Sequence, residues 1–308
     1  MGFPVRVRPG FVVFCALIVA LYQGTRGLWF AGSLAVLTLT HELGHAWAAR
    51  LNGAEAEIAL DFMAGYTSYS PSRPMTNGQR AAIAVAGPLA EIVPGLIALA
   101  ALGANPFSID SVTASDARLA IWWSGPVLGL INLLPVIPLD GGSITSSALD
   151  RLAPGRGRDW TLWWSVAVSA VTAVVLLATD DLQILALFFV LLIGLQIRMI
   201  MLSRRPSHQP TSGSVTLVRS LLDASRLSEA AGEGSRRFES TRDPALAVLV
   251  ARAAVRLGQH DVAMAWLQAA GHAAENPAEI LADLDLEPDF AELRNRPAAE
   301  TLRWSLGG

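Results

Sequence analysis

Six apolar stretches, near residues 11–22, 27–50, 80–103, 117–134, 161–178 and 182–202, constrain this chain more than any other feature. A helix that crosses a membrane needs about 20 largely apolar residues, so stretches of this length and number point away from a soluble globular fold. The charge distribution agrees. Residues 1–203 hold 11 Arg and 12 Asp or Glu, whereas the much shorter stretch 204–308 holds 12 Arg and 14 Asp or Glu. The 16% charged content therefore averages a membrane-embedded front with an ordinary soluble tail. All basic residues are Arg, the net charge is −3 and no basic cluster marks the tail, which argues against a nucleic-acid partner. A single Cys15 excludes internal disulfides and a four-Cys zinc site, and its apolar setting reads as a small buried hydrophobe.

Arg6 and Arg8 precede the first stretch, but no clean cleavage site follows it, so the expectation is a retained first span. Six spans put both termini on one side of the membrane. Arg6, Arg8, Arg50, Arg73, Arg80, Arg151, Arg156, Arg158, Arg204 and Arg205 fall in alternate loops or ends. The opposite loops hold Arg26 and Arg118 with Asp110, Asp116, Asp180 and Asp181. The positive-inside bias then makes both termini cytoplasmic. Trp29, Trp122, Trp123, Trp160, Trp163 and Trp164 lie near span ends, where amphipathic rings are favoured.

The second stretch contains His41-Glu42-Leu43-Gly44-His45. Two His four residues apart share one helix face, so both rings can reach one ion, and the adjoining Glu42 can take a proton from bound water. On composition this motif is expected about 0.003 times in a chain like this one. Ionisable groups inside a bilayer cost on the order of 2–3 kcal/mol each, so three together in one helix call for a function. A catalytic zinc usually has three protein ligands, and the candidate third is Asp140, in Asn132-Leu-Leu-Pro135-Val-Ile-Pro138-Leu-Asp140-Gly141-Gly142. Two prolines preclude a regular helix there and paired glycines permit a sharp turn. The bland alternative for Asp140 is a solvated carboxylate at a cytoplasmic turn.

The His41–His45 motif followed by Asn132–Gly142 about ninety residues later resembles the site-2 protease family of intramembrane zinc metalloproteases, over roughly residues 5–203. The resemblance implies that His41, His45 and Asp140 ligate one zinc ion and that Glu42 is the catalytic base. It also assigns Asn132 a substrate-positioning or oxyanion role, and it implies cleavage of membrane-spanning protein segments, with anti-sigma factors and tethered transcriptional regulators as typical substrates. Where the family often reads Gly-Pro-x-Ala-Asn, this chain reads Gly87-Pro88-Leu89-Ala90-Glu91. Protonation in place, or pairing with Arg80 or Arg118, is the expectation for Glu91, rather than ligation. The 104–116 link is too short for an inserted PDZ domain, so the compact branch of the family fits.

Within 55–74, Ile58, Leu60 and Phe62 alternate with Ala59 and Asp61, and Gly65 precedes Tyr66, Thr67 and Tyr69, a strand or hairpin signal. An exposed strand edge near the site could hold an unwound substrate by β-augmentation; an inert hairpin is the alternative. Residues 204–214 read as a linker, followed by helical patterns at about 215–231, 244–257 and 260–273. The pair 244–273 resembles a tetratricopeptide unit, and Leu286–Arg294 the stretch that closes such arrays; a small bundle is equally compatible. His208, His260 and His272 show no ligand spacing and read as surface residues. The fold expected is thus an α-helical polytopic membrane protein of about six spans with a small embedded β element, residues 1–203, plus an all-α cytoplasmic tail, 215–308. The location expected is a bacterial plasma membrane, and the tail's candidate partners are a regulatory protein or a second copy of the chain. The competing function classes are a divalent-metal transporter or sensor using the same His and Asp, and an inactive membrane adaptor.

Overall fold

The computed structural model describes residues 2–62, 64–152, 157–179, 183–203, 212–274 and 276–307. Expectations that fall on Arg156, Asp180, Asp181, Arg204, Arg205, His208 and residues 204–211 of the linker lie outside the described residues. Each apolar stretch is helical: α1 (Pro9–Tyr22), α2 (Gly24–Leu51), α3 (Asn77–Ala101), α8 (Gly157–Leu177), α9 (Gln183–Ser203), and a composite fourth. That fourth stretch follows a short α4 (Ile109–Thr113) and runs through α5 (Asp116–Trp122), a π-helical turn at Trp123–Val127 and α6 (Leu128–Asn132). Pro126 inside the π turn removes an N–H and crowds the carbonyl behind it, which accounts for the widened turn. Among the described residues, α3 and α8 are long and apolar enough to cross a membrane, while α1 and Leu185–Met201 are shorter apolar helices. α2 reaches 28 residues, but its two His, Glu42 and terminal arginines dilute its apolar character. Cys15 is half-buried on α1 rather than in a core.

Two compact units divide the chain. The first comprises 1–51, 56–68 and 77–204 and contains these helices with α7 (Asp140–Leu152). It also carries most of a three-stranded sheet of order β1-β2-β3, from β1 (Val5–Val7), β2 (Ala54–Asp61) and β3 (Ala64–Pro71). The hairpin signal in 55–74 corresponds to β2 and β3. β1 goes beyond the sequence reading: three residues, Val5-Arg6-Val7, look like the polar flank of a span. They run parallel to β2, with Val5 opposite Ile58 and Val7 opposite Leu60, and occupy an edge whose N–H and C=O groups would otherwise be open.

The second unit comprises 205–308 with the short segments 52–55 and 69–76. Its helices are α10 (Ser212–Asp223), α11 (Leu227–Thr241), α12 (Pro244–Arg256), α13 (His260–Ala273), α14 (Pro277–Leu286) and α15 (Pro297–Gly307). α10 starts within the stretch read as linker. The single helix expected over 215–231 is two, because the chain turns at Ala224–Arg226 with Ser225 at φ 57°. There the N–H groups of Ser225 and Arg226 close the end of α10 on Leu222 and Leu221 carbonyls. Asp243 caps α12 by accepting from the Ala245 N–H at 3.0 Å. Trp266 and Phe238 meet edge-to-face at 5.4 Å in a core with Leu246, Leu267, Leu284 and Phe290. Gly234 and Gly271 let Val250 and Leu306 approach where a Cβ would clash. Partial burial disfavours the charge on Asp289, but the Arg256 and Arg252 guanidiniums beside it hold its carboxyl below the usual carboxylate range. His272 is exposed as expected, whereas His260 is only half-buried and lies between Arg296 (2.8 Å) and Glu292 (3.1 Å).

Trp266→Ala should cost the second unit about 3–5 kcal/mol, the usual loss for truncating a buried aromatic. Hydrogen exchange of the full chain is the check: amide protection across α11–α13 should fall about a hundredfold or more, with α3 unchanged.

Candidate metal centre

The site begins on α2. One helical turn separates His41 from His45, and their Nε2 atoms lie 3.0 Å apart. Asp140 reaches both, Oδ2 at 3.1 Å from His41 Nε2 and Oδ1 at 3.3 Å from His45 Nε2. One ligand atom from each residue falls within 4.8 Å of the others. Bonds of 2.0–2.1 Å to a tetrahedral zinc imply ligand–ligand edges of roughly 3.3 Å, so these separations fit that ion. The donor set fits as well. His45 Nδ1 donates to the Ile83 carbonyl at 2.7 Å, and His41 Nδ1 donates to Glu91 Oε2 at 2.9 Å. With both Nδ1 atoms protonated, two Nε2 lone pairs and a carboxylate face one another, an arrangement that a cation stabilises.

α3 supplies this outer layer through one face. Ile83, Gly87 and Glu91 recur every four residues, opposite His45 and His41. Helices α2 and α3 can pack this closely because the contact residues are small. A Cβ on Gly44 would sit 2.4 Å from the Ala86 carbonyl, and one on Gly87 would sit 2.2 Å from His45 Nε2. Glu91, 2% exposed, is therefore the partner of His41, not of Arg80 or Arg118. Arg118 turns instead to the Leu102 carbonyl at 2.6 Å. The sequence signal was the Gly87-x-x-x-Glu91 spacing, which repeats the His41–His45 spacing on the facing helix.

Asp140 opens α7 after an irregular stretch, 133–139. The paired glycines are needed: a Cβ on Gly141 would lie 2.1 Å from the Leu134 carbonyl, and one on Gly142 2.6 Å from the Ile137 nitrogen. The turn thus folds back on the start of α7, which directs Asp140 to the histidines. Glu42 is 4% exposed. The Thr67 hydroxyl on β3 lies 2.6 Å from Glu42 Oε2 and 3.0 Å from its carbonyl oxygen. Gly65, also on β3, packs against the same side chain, since a Cβ there would be 2.7 Å from Glu42 Cγ. Thr67 was read only as part of a strand; its role as a partner of Glu42 depends on tertiary packing. Asn132 ends α6 half-buried and makes no hydrogen bond to the three ligand residues.

No family model matches the chain. A zinc metalloprotease of Methanocaldococcus jannaschii is 26% identical over 154 residues, covering 49% of this chain and 44% of that protein. Rip3 of Mycobacterium tuberculosis, which also carries a zinc metalloprotease name, is 30% identical over 169 residues, 49% of this chain and 42% of its own length. The chain thus spans less than half the length of the curated relatives it matches. A solved site-2 protease from Methanocaldococcus jannaschii is similar over 64% of this chain and 91% of that one, at 22% identity and a TM-score of 0.47.

Glu91→Gln should leave the fold intact and weaken zinc binding about 10- to 100-fold, the range for a lost outer partner of a metal-bound histidine. Chelator competition on the purified full chain measures this directly.

Proposed function

We propose that this chain, whose curated relatives carry zinc metalloprotease names and whose motifs resemble the site-2 protease family, is an intramembrane zinc endopeptidase that hydrolyses peptide bonds in or near membrane-spanning segments of other proteins. One observation carries the reading: three ligating atoms converge beside a buried glutamate that a strand hydroxyl holds in place. His41, His45 and Asp140 would hold the zinc, which when bound supplies Lewis-acid polarisation of a carbonyl and acidification of water. Glu42 is the general base. Its Oε2, oriented by the Thr67 hydroxyl, accepts the proton of the attacking water and later returns it to the departing peptide nitrogen. Asn132 is proposed to orient the substrate carbonyl, on the strength of the motif alone.

A helical substrate hides its peptide bonds in its own hydrogen bonds, so cleavage needs local unwinding. β3 lies at an edge of the sheet, beside Glu42, and an edge strand offers unwound backbone a partner by β-augmentation. The proposed topology is six spans, with both termini cytoplasmic and the chain in a bacterial plasma membrane. The alternating Arg pattern supports it, as do the large apolar side chains that α1, α3, α8 and α9 leave uncovered, among them Val13, Leu21, Ile97, Val174 and Leu191. The substrate is a protein with a membrane-spanning segment. The proposed domains are a protease core, 1–203, a linker, 204–214, and a helical tail, 215–308, that recruits a regulatory protein or a second copy.

Glu42→Gln in the full chain should retain one zinc per chain and lower cleavage of a single-span reporter in liposomes by about 10²–10⁴-fold. Full cleavage by that variant would remove Glu42 from the role of base, whereas a parent chain that binds zinc and cleaves no reporter would favour the metal-transport role. Thr67→Val should lower kcat about tenfold, the worth of one lost hydrogen bond of roughly 1.4 kcal/mol, while Thr67→Ser keeps it.

A further inference from the structure

We infer that Ser165 on α8 and Gln196 on α9 are positioning residues for Asp140, because together they grip both backbone polar groups of Ile137 in the turn that delivers it. The inference rests on the metal-centre reading above. Backbone inside an apolar bundle has no water to turn to, so each N–H and C=O needs a partner within the protein. Most of the break supplies its own. Leu133 and Leu134 donate back to Leu130 and Ile131, Val136 to Leu134, and Leu139 to Val136, while Pro135 and Pro138 have no N–H. Ile137 is served by side chains instead. Its N–H donates to Ser165 Oγ at 2.9 Å, and its carbonyl accepts from Gln196 Nε2 at 2.9 Å.

Neither side chain is a casual neighbour. Ser165 is fully buried; its hydroxyl proton goes to the Thr161 carbonyl at 2.6 Å, which leaves the oxygen lone pairs facing Ile137. Gln196 is fully buried too, and Nε2 also donates to Ser169 Oγ at 3.0 Å, so the amide is fixed from two sides. Its Oε1 has no partner among the described residues. A buried amide with an unsatisfied acceptor is unfavourable in an apolar helix, so the bond it makes to Ile137 is the contact that offsets its cost. Two residues separate Ile137 from Asp140, and Gly142 lies so close to the Ile137 nitrogen that a Cβ on it would sit 2.6 Å away. Displacing Ile137 therefore displaces the start of α7, and with it the carboxylate.

The test uses the purified full chain in nanodiscs, with zinc affinity measured by chelator competition and the ligand set read from the absorption of the cobalt(II) form. Ser165→Ala and Gln196→Met should each raise the zinc Kd about 10- to 100-fold and alter the cobalt spectrum, with the double variant little worse than either single one. Ser165→Thr, which keeps a hydroxyl, should bind like the parent. Thr161→Val removes an equally buried hydroxyl that bonds only within α8, and should also bind like the parent. Parental zinc affinity in Ser165→Ala and Gln196→Met overturns the inference while leaving the metal centre standing. Equal weakening by Thr161→Val overturns it as well, by assigning the effect to general packing. Should Gln196→Met fail to fold, the Ser165→Ala and Ser165→Thr pair decides. A parent chain that binds no zinc overturns the metal-centre reading itself and the inference with it.

Discussion

Irregular backbone buried among helices must satisfy its own polar groups, and the metal centre depends on how residues 133–139 meet that constraint. A regular helix continued from Asn132 would carry Asp140 about 12 Å along the axis, well past a pair of histidines on a neighbouring helix. Pro135 and Pro138 stop that helix, and Gly141 with Gly142 lets the chain return so closely that any side chain there would collide with backbone. Each N–H released by the break is then taken up, by backbone where the turn allows it and by Ser165 where it does not. The candidate third ligand, Asp140, thus comes from an element whose shape is held by helices that carry none of the three candidate ligands.

A second dependence runs through the α2–α3 contact. Gly44 and Gly87 remove the side chains that would keep the two helices apart, and the His45 ring takes the space over Gly87. Only at that separation do the Ile83 carbonyl and Glu91 come within hydrogen-bond reach of the two Nδ1 atoms. The same small residues therefore set the packing and the ring orientation together. β3 orients Glu42, the candidate base, within this frame: Gly65 leaves room for its side chain and Thr67 holds its oxygen. Glu42 and the two histidines share α2, so their spacing along the helix is rigid, while the orientation of Glu42 is set from a different element.

What the sequence made legible is what local periodicity can encode. Two histidines four apart on an apolar helix, a carboxylate after two prolines and before two glycines, and alternation over 55–74 each announce a local geometry. Partners chosen across elements are not encoded that way. Glu91 reads as an isolated intramembrane charge until α3 is laid against α2, and Thr67 as one strand residue among several. Ser165 and Gln196 are ordinary polar residues in apolar helices until the broken turn is seen between them. β1 was hidden because three residues carry no period. The end of α10 was missed because Ser225 adopts a left-handed backbone without a glycine to signal it.

Glu91, where the family that the sequence resembles often carries asparagine, can be read physically. An amide at this position offers either an oxygen or an N–H to a histidine, and so can hold the ring in either of two tautomers. An ionised carboxylate only accepts, so opposite one His41 places its proton on Nδ1 and keeps Nε2 as a lone pair toward His45 and Asp140. Glu91 Oε2 sits 2.9 Å from that Nδ1, in a pocket where water does not compete. An ionised Glu91 thus favours the His41 tautomer that metal ligation would need, and it does so from α3, packed against α2 at Gly44 and Gly87. A residue that looks out of place along the sequence is, across the helix pair, the complement of the histidine it faces.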